Sequence, residues 1–164
     1  MAGVIAAWLG DAVRPARRAW GPLLLPAACA ALAVLPDLDL VFDSHRTVTH
    51  SLGATVLVGL VAGGVAWRLR LPILWTGLVC GAAYGTHVLL DWLGKDAKPP
   101  IGIMALWPLS REYYKSSLDL FLEVSRRFDE PARMLAVDLR SAARELLVLG
   151  PIAVVAWLIR RARQ

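Results

Sequence analysis

Charge is nearly absent from four long stretches of this chain, and that constrains the fold more than any motif does. A helix needs about 20 mostly apolar residues to cross the hydrocarbon core of a bilayer, with a range of about 17–25. Residues 20–36, 51–67 and 71–93 reach or approach that length. A fourth run, 146–159, is shorter, but a helical pattern extends it backward toward Pro131. Pro26 and Pro151 would kink their helices, which membrane helices tolerate. The opening apolar run, 2–9, is too short to cross and is expected to lie at the interface or to re-enter. At 57% hydrophobic the chain exceeds the roughly 45–50% usual for soluble domains, and 164 residues suit one domain. The expected fold is all-α: a polytopic membrane protein with about four membrane helices plus amphipathic interfacial helices. Within one domain, 1–164, residues 1–19 form the interfacial or re-entrant segment and 20–93 a three-span core. Residues 94–145 form extramembrane amphipathic helices, and 146–164 the last span and a basic tail.

The net charge of +5 does not point to nucleic acid, because the basic residues flank apolar runs instead of lining one polar face. Arg14, Arg17 and Arg18, then Arg68 and Arg70, then Arg160, Arg161 and Arg163 fall on one side of the alternating spans, with Asp11 as the accompanying acid. The other side holds residues 37–50, with one Arg and three Asp, and residues 94–145, with nine basic and eight acidic residues. The positive-inside rule then predicts cytoplasmic termini and places residues 37–50 outside. In the long stretch, Tyr113, Tyr114, Leu118, Phe121, Leu122 and Phe128 recur at roughly helical spacing. Asp129, Glu130 and Pro131 read as a helix start, so two amphipathic helices are expected there. Cys29 and Cys80 both lie in apolar runs, where Cys behaves as a small hydrophobe; neither a disulfide nor a Cys-based zinc site is expected.

Three strings carry candidate chemistry. Asp37 and Asp39 stand in LPDLDL after the first span; His45, Arg46 and His50 stand in HRTVTHS, which opens the second; His87 and Asp91 stand in HVLLD, near the end of the third. Alternating spans bring all three strings to one membrane face. His87 and Asp91 are four residues apart, so a helix sets them on one side, where they can share an ion. Mixed imidazole and carboxylate ligands suit zinc, with manganese or iron as alternatives. Asp37, Asp39, His50, His87 and Asp91 are the expected metal ligands. His45 is either a further ligand or a partner that orients Asp39. Metal activation of water would use Asp39 or His45 to take the proton and Arg46 to stabilise the developing anion. Ionisable groups at the ends of membrane helices are costly and usually functional. A DxD pair can nevertheless be a plain cap, and Arg46 can simply pair with Asp43. Ser51 offers a nucleophile as an alternative, without the nucleophile-elbow pattern. Ser110 and Arg111, beside Trp107 in LWPLS, are candidates for binding a polar headgroup.

The ordered set LPDLD, HRTVTHS, HVLLD and LWPLS resembles the YdjM-type membrane-bound proteins, with Thr47 where that family's pattern carries glycine. The resemblance covers about Leu35 to Ser110. It implies a metal-dependent hydrolase of the inner membrane with site residues at 37, 39, 45, 50, 87 and 91. The same family is also described as LexA-binding. Two functions are therefore expected. One is a hydrolase acting at the bilayer interface on a membrane lipid or lipid-linked ester or phosphoester. The alternative is a non-catalytic interaction protein whose His/Asp cluster braces helix ends. A proton or ion pathway ranks third, since no charge is expected near mid-bilayer. The oligomeric state is left open.

Overall fold

The computed structural model describes residues 1–13, 17–42, 46–96, 99–123 and 130–163, with the side chains of 17–22 and 40–42 excepted. Among these residues the fold is all-helical, with no strand. Five α-helices form it: α1 (Ala2–Val13), α2 (Arg17–Leu32), α3 (Leu52–Arg68), α4 (Ile73–Leu93) and α5 (Pro131–Ala162). Two 3-10 segments, Leu35–Phe42 and Val48–His50, connect α2 to α3.

Two of these helices, α4 and α5, are long and apolar enough to cross a membrane. α3 has 17 residues, about 26 Å at 1.5 Å per residue, just short of a core about 30 Å thick. α2 is shorter still, at 16 residues. Helix length and composition thus support two spans among the described residues. The outward surface is apolar all the same: Leu57, Leu60 and Val61 on α3, Leu74 and Leu78 on α4, and Leu147, Val154 and Val155 on α5 are exposed. Water would disfavour so much contiguous apolar surface, whereas hydrocarbon would not. α3 and α5 also end alike. Arg68 lies over the Trp67 ring and Arg161 over the Trp157 ring, the aromatic and basic pairing of a membrane–water interface.

α3 and α4 pack with their backbones nearly touching. A Cβ on Gly77 would stand 2.8 Å from the Gly59 carbonyl, and one on Gly81 would stand 3.3 Å from the Gly59 Cα. This is the small-residue packing of helices that lack a hydrophobic drive between them. It matters for function because α3 follows His50 and α4 carries His87.

α1 packs into the bundle: Gly3, Ile5, Ala7 and Gly10 are buried, and the helix lies against α2, α4 and α5. Small residues permit this, since any Cβ on Gly3 would collide with the Cys29 carbonyl of α2. Its ends are also ordered by charge. Met1 lies 3.9 Å from Glu145, while Asp11 accepts a 2.8 Å hydrogen bond from Arg160 Nε. α1 thus runs parallel to α5, and Met1 sits about 22 Å along that helix from Arg160.

The long connection also differs from expectation. Residues 99–123 are irregular instead of helical, and Phe128 lies outside the described residues. Pro99, Pro100, Gly102 and Pro108 remove donors or weaken a helix across this stretch. Its backbone groups pair elsewhere. Ile103 and Tyr114 exchange N–H···O bonds of 2.9 and 2.8 Å, and the Ser116 and Leu120 N–H groups reach the free carbonyls of Trp92 and Leu93 at the end of α4. The second expected helix begins at Pro131, as read, but continues unbroken into the last apolar run. Cys29 and Cys80 are buried, free and part of one apolar cluster with Leu25 and Val79.

Candidate metal centre

Each candidate side chain is set by a helix end. α2 stops at Leu32, and the 3-10 segment Leu35–Phe42 carries Asp37 and Asp39. His50 closes the Val48–His50 segment immediately before α3. Ser51 caps α3: its Oγ accepts the Ala54 N–H at 3.0 Å and donates to the Val48 carbonyl at 2.6 Å. The LWPLS loop completes the cap. Leu52 and Gly53 donate their N–H groups to the carbonyls of Ala105 and Trp107 at 2.9 and 3.1 Å, satisfying helix-end donors that would otherwise lack partners. Fully buried and engaged on both sides, Ser51 acts as a cap.

The two imidazoles meet edge on, with His50 Nε2 and His87 Nε2 3.2 Å apart. Their far nitrogens are held by acceptors. His87 Nδ1 lies 2.8 Å from the Ala33 carbonyl. His50 Nδ1 lies 3.2 Å from Asp39 Oδ2 and 3.0 Å from Thr49 Oγ1. A carbonyl and a carboxylate accept only, so Nδ1 of each ring carries a proton, and in the neutral form of a ring its Nε2 turns a lone pair toward the other. Carboxylates complete the group. Asp37 Oδ1 is 3.4 Å from His87 Nε2 and 3.8 Å from His50 Nε2. Asp91 Oδ2 is 3.3 Å from His50 Nε2 and 3.8 Å from His87 Nε2.

This donor set fits a divalent cation. Two facing lone pairs repel unless a cation or proton lies between them. With metal–nitrogen bonds of about 2.1 Å, a 3.2 Å separation corresponds to an angle at the ion of about 100°, between the tetrahedral and octahedral values. Asp37, His50 and His87 offer one ligand atom each, all within 4.8 Å of one another, and can hold a metal ion. The backing of each imidazole by an acceptor is the usual outer shell of a metal-bound His.

The remaining sequence candidates fall elsewhere. Asp39 is buried behind His50, where its Oδ2 accepts from Thr49 Oγ1 at 2.5 Å and from the Arg46 N–H at 3.2 Å. It faces Nδ1, the nitrogen turned away from the ligand group. Arg46 lies at the edge, with Nε 3.8 Å from Asp91 Oδ2 and Nη1 ion-paired with Asp96. Arg46, not Thr47, takes the positive φ of this segment, at 66°, while Thr47 has φ −92°. Threonine therefore fits where the family pattern has glycine. His45 and Asp43 lie outside the described residues. Among the described residues no contact joins Ser110 or Arg111 to the cluster. Ser110 Oγ instead accepts the Glu112 N–H at 3.1 Å, and Arg111 is exposed.

Sequence reading noted Thr49 only as a neighbour of the histidines and missed Asp96, Tyr84 and the Ala33 carbonyl. Tyr84 donates to the Thr49 carbonyl at 2.6 Å, and so fixes the hydroxyl that meets both Asp39 and His50. Only Tyr84 left a usable signal: it stands three residues before His87, one helical turn away on the same helix face.

Electrostatics favour an ionised Asp37. Burial alone would raise its carboxyl, but hydrogen bonds to His50 and His87, together with their charge, outweigh that and hold it well below the usual carboxylate range.

A family model described as YdjM inner membrane protein matches residues 1–163, essentially the whole chain. The chain belongs to the YdjM family. No curated protein and no solved structure matches it. YdjM membership agrees with the apolar surface of α3, α4 and α5, and it spans the motif strings, the connecting loop and α5 alike.

Proposed function

We propose that this YdjM family member is a membrane-embedded, metal-dependent hydrolase that acts at the bilayer interface on a lipid or lipid-linked ester or phosphoester. The observation that carries this reading is the pair of Nε2 atoms 3.2 Å apart, with both Nδ1 positions committed to acceptors. His50, His87, Asp37 and Asp91 would hold the ion, with zinc the best match to two imidazoles and two carboxylates and manganese or iron the alternatives. A bound divalent ion supplies Lewis acidity and lowers the pKa of water from 15.7 toward about 7.

The chain's own residues do the rest. Asp39 holds the Nδ1 proton of His50 and so keeps Nε2 free to ligate; this replaces its expected part as ligand and base. Asp37 has the most exposed side chain of the three carboxylates, 42% against 23% for Asp91 and 3% for Asp39, and so faces the solvent side of the centre. Arg46 sets positive charge beside the centre, where an anion would develop. The site lies at the ends of α2 and α4 and the start of α3. In a multi-pass arrangement that is headgroup depth, and the loop charges favour the extracytoplasmic face. Ser110 and Arg111 remain proposed headgroup contacts at the rim.

Metal analysis of the purified protein in detergent tests the reading. A stoichiometric divalent metal is expected, and a protein that holds none and binds none at micromolar levels overturns it. A second reading is a non-catalytic interaction protein of the LexA-binding type. It is favoured by the way Asp39, Thr49 and Tyr84 tie helix ends together without any ion.

A further inference from the structure

Asp96 is a buried carboxylate that no motif explains. Its side chain is 3% exposed, and it follows α4 by only a few residues. Its Oδ2 accepts the Gly102 N–H at 2.7 Å and ion-pairs with Arg46 Nη1. The Arg46 guanidinium, 16% exposed, is thereby held at the edge of the cluster with Nε 3.8 Å from Asp91 Oδ2. That Nε is buried and has no hydrogen-bond partner among the described residues. A charge-assisted N–H···O bond is about 2.7–2.9 Å long, so the guanidinium stops roughly 1 Å short of one with Asp91. The backbone adds to the restraint: the Arg46 N–H donates to Asp39 and its carbonyl accepts the Met104 N–H at 3.1 Å.

We propose that Asp96 is a positioning residue that keeps Arg46 beside Asp91 but off it, so that Asp91 Oδ2 stays available to a metal ion. This rests on the proposed metal centre. The physical reason is competition. An arginine released from Asp96 remains next to the Asp91 carboxylate, and a direct Arg46–Asp91 pair would then use the oxygen that faces His50. Gly102 and Met104 anchor the same network, so these loop residues help set the geometry of a ligand they do not themselves contain.

The experiment is a zinc titration of full-length protein in detergent, with thermal unfolding of each metal-free variant as the check on folding. D96N is expected to weaken zinc binding about tenfold or more, the range seen when the outer partners of metal ligands are removed. D96N combined with R46M removes the competing cation as well and is expected to return affinity to within about threefold of wild type. A merely structural Asp96 would show no such rescue. Should D96N alone fail to fold, the double variant carries the test, because removing both members of a buried pair avoids leaving one charge uncompensated. Wild-type affinity in D96N overturns the proposal. Affinity in the folded double variant that stays tenfold or more below wild type overturns it too. Failure of the metal centre itself is separately visible, as wild-type protein that binds no zinc.

Discussion

Replacing His87 with alanine removes one of the four proposed ligand atoms, and its effect follows from the geometry. Zinc held by four protein ligands is bound with about 10–16 kcal/mol, so one ligand accounts for roughly 3 kcal/mol, or about a hundredfold in affinity. The same substitution removes the 2.8 Å hydrogen bond to the Ala33 carbonyl. Loss of that bond costs about 1 kcal/mol, rising to about 3 kcal/mol if the carbonyl is left buried without a partner. A folded protein with zinc affinity reduced at least about a hundredfold is therefore the expected result. Competition with a chromophoric chelator, in detergent and at one pH, reads the affinity, while circular dichroism reads the fold. A His87→Ala protein that is folded and binds zinc as tightly as wild type would refute the reasoning, because the 3.2 Å approach of the two Nε2 atoms would then have nothing to do with metal.

Ser51→Ala should cost about 1 kcal/mol through loss of the α3 cap and leave metal binding intact; abolished hydrolysis in a folded, metal-loaded S51A protein would restore Ser51 as a nucleophile. Gly77→Val places a branched side chain where a Cβ is already 2.8 Å from the Gly59 carbonyl. It should lower stability by about 1–3 kcal/mol and weaken metal binding too, by prying apart the helices that position His50 and His87; unchanged thermal unfolding would count against the close α3–α4 contact. Zinc binding should weaken as pH falls, since protons compete with the ion for its imidazole ligands. Asp37, held below the usual carboxylate range, stays ionised through that loss, so zinc retained at its full affinity below pH of about 5 would argue against imidazole ligation.

The helical class, the helices that flank the cluster and the meeting of three strings at one end of the bundle were legible in the residues. Apolar runs and their charged ends declare helices through local periodicity, and alternation of direction brings 37–39, 50 and 87–91 together. The pairing of His87 with Asp91 needed nothing beyond a four-residue helical spacing, and both do face the same group. Where local spacing ran out, so did the reading. Aromatic spacing over 113–128 imitates an amphipathic helix, yet the described part of it, 113–123, is irregular because its backbone pairs with residues far away in sequence. The short run at 2–9 read as interfacial or re-entrant by length; how its small residues pack against α2 and α4 could not be read from length.

The sequence by itself therefore determined which residue types gather at one end of this protein and on which helix ends they ride. Only the tertiary structure decided their parts. It turned Asp39 to the Nδ1 side of His50, placed the Ala33 carbonyl behind His87 across 54 residues of chain, and brought in Asp96 to hold Arg46. A ring's orientation is set by whatever donor or acceptor reaches its far nitrogen, and here that partner arrives from another helix end. Periodicity along one helix cannot encode such a contact, which is why the cluster could be read from the chain and its facing lone pairs could not.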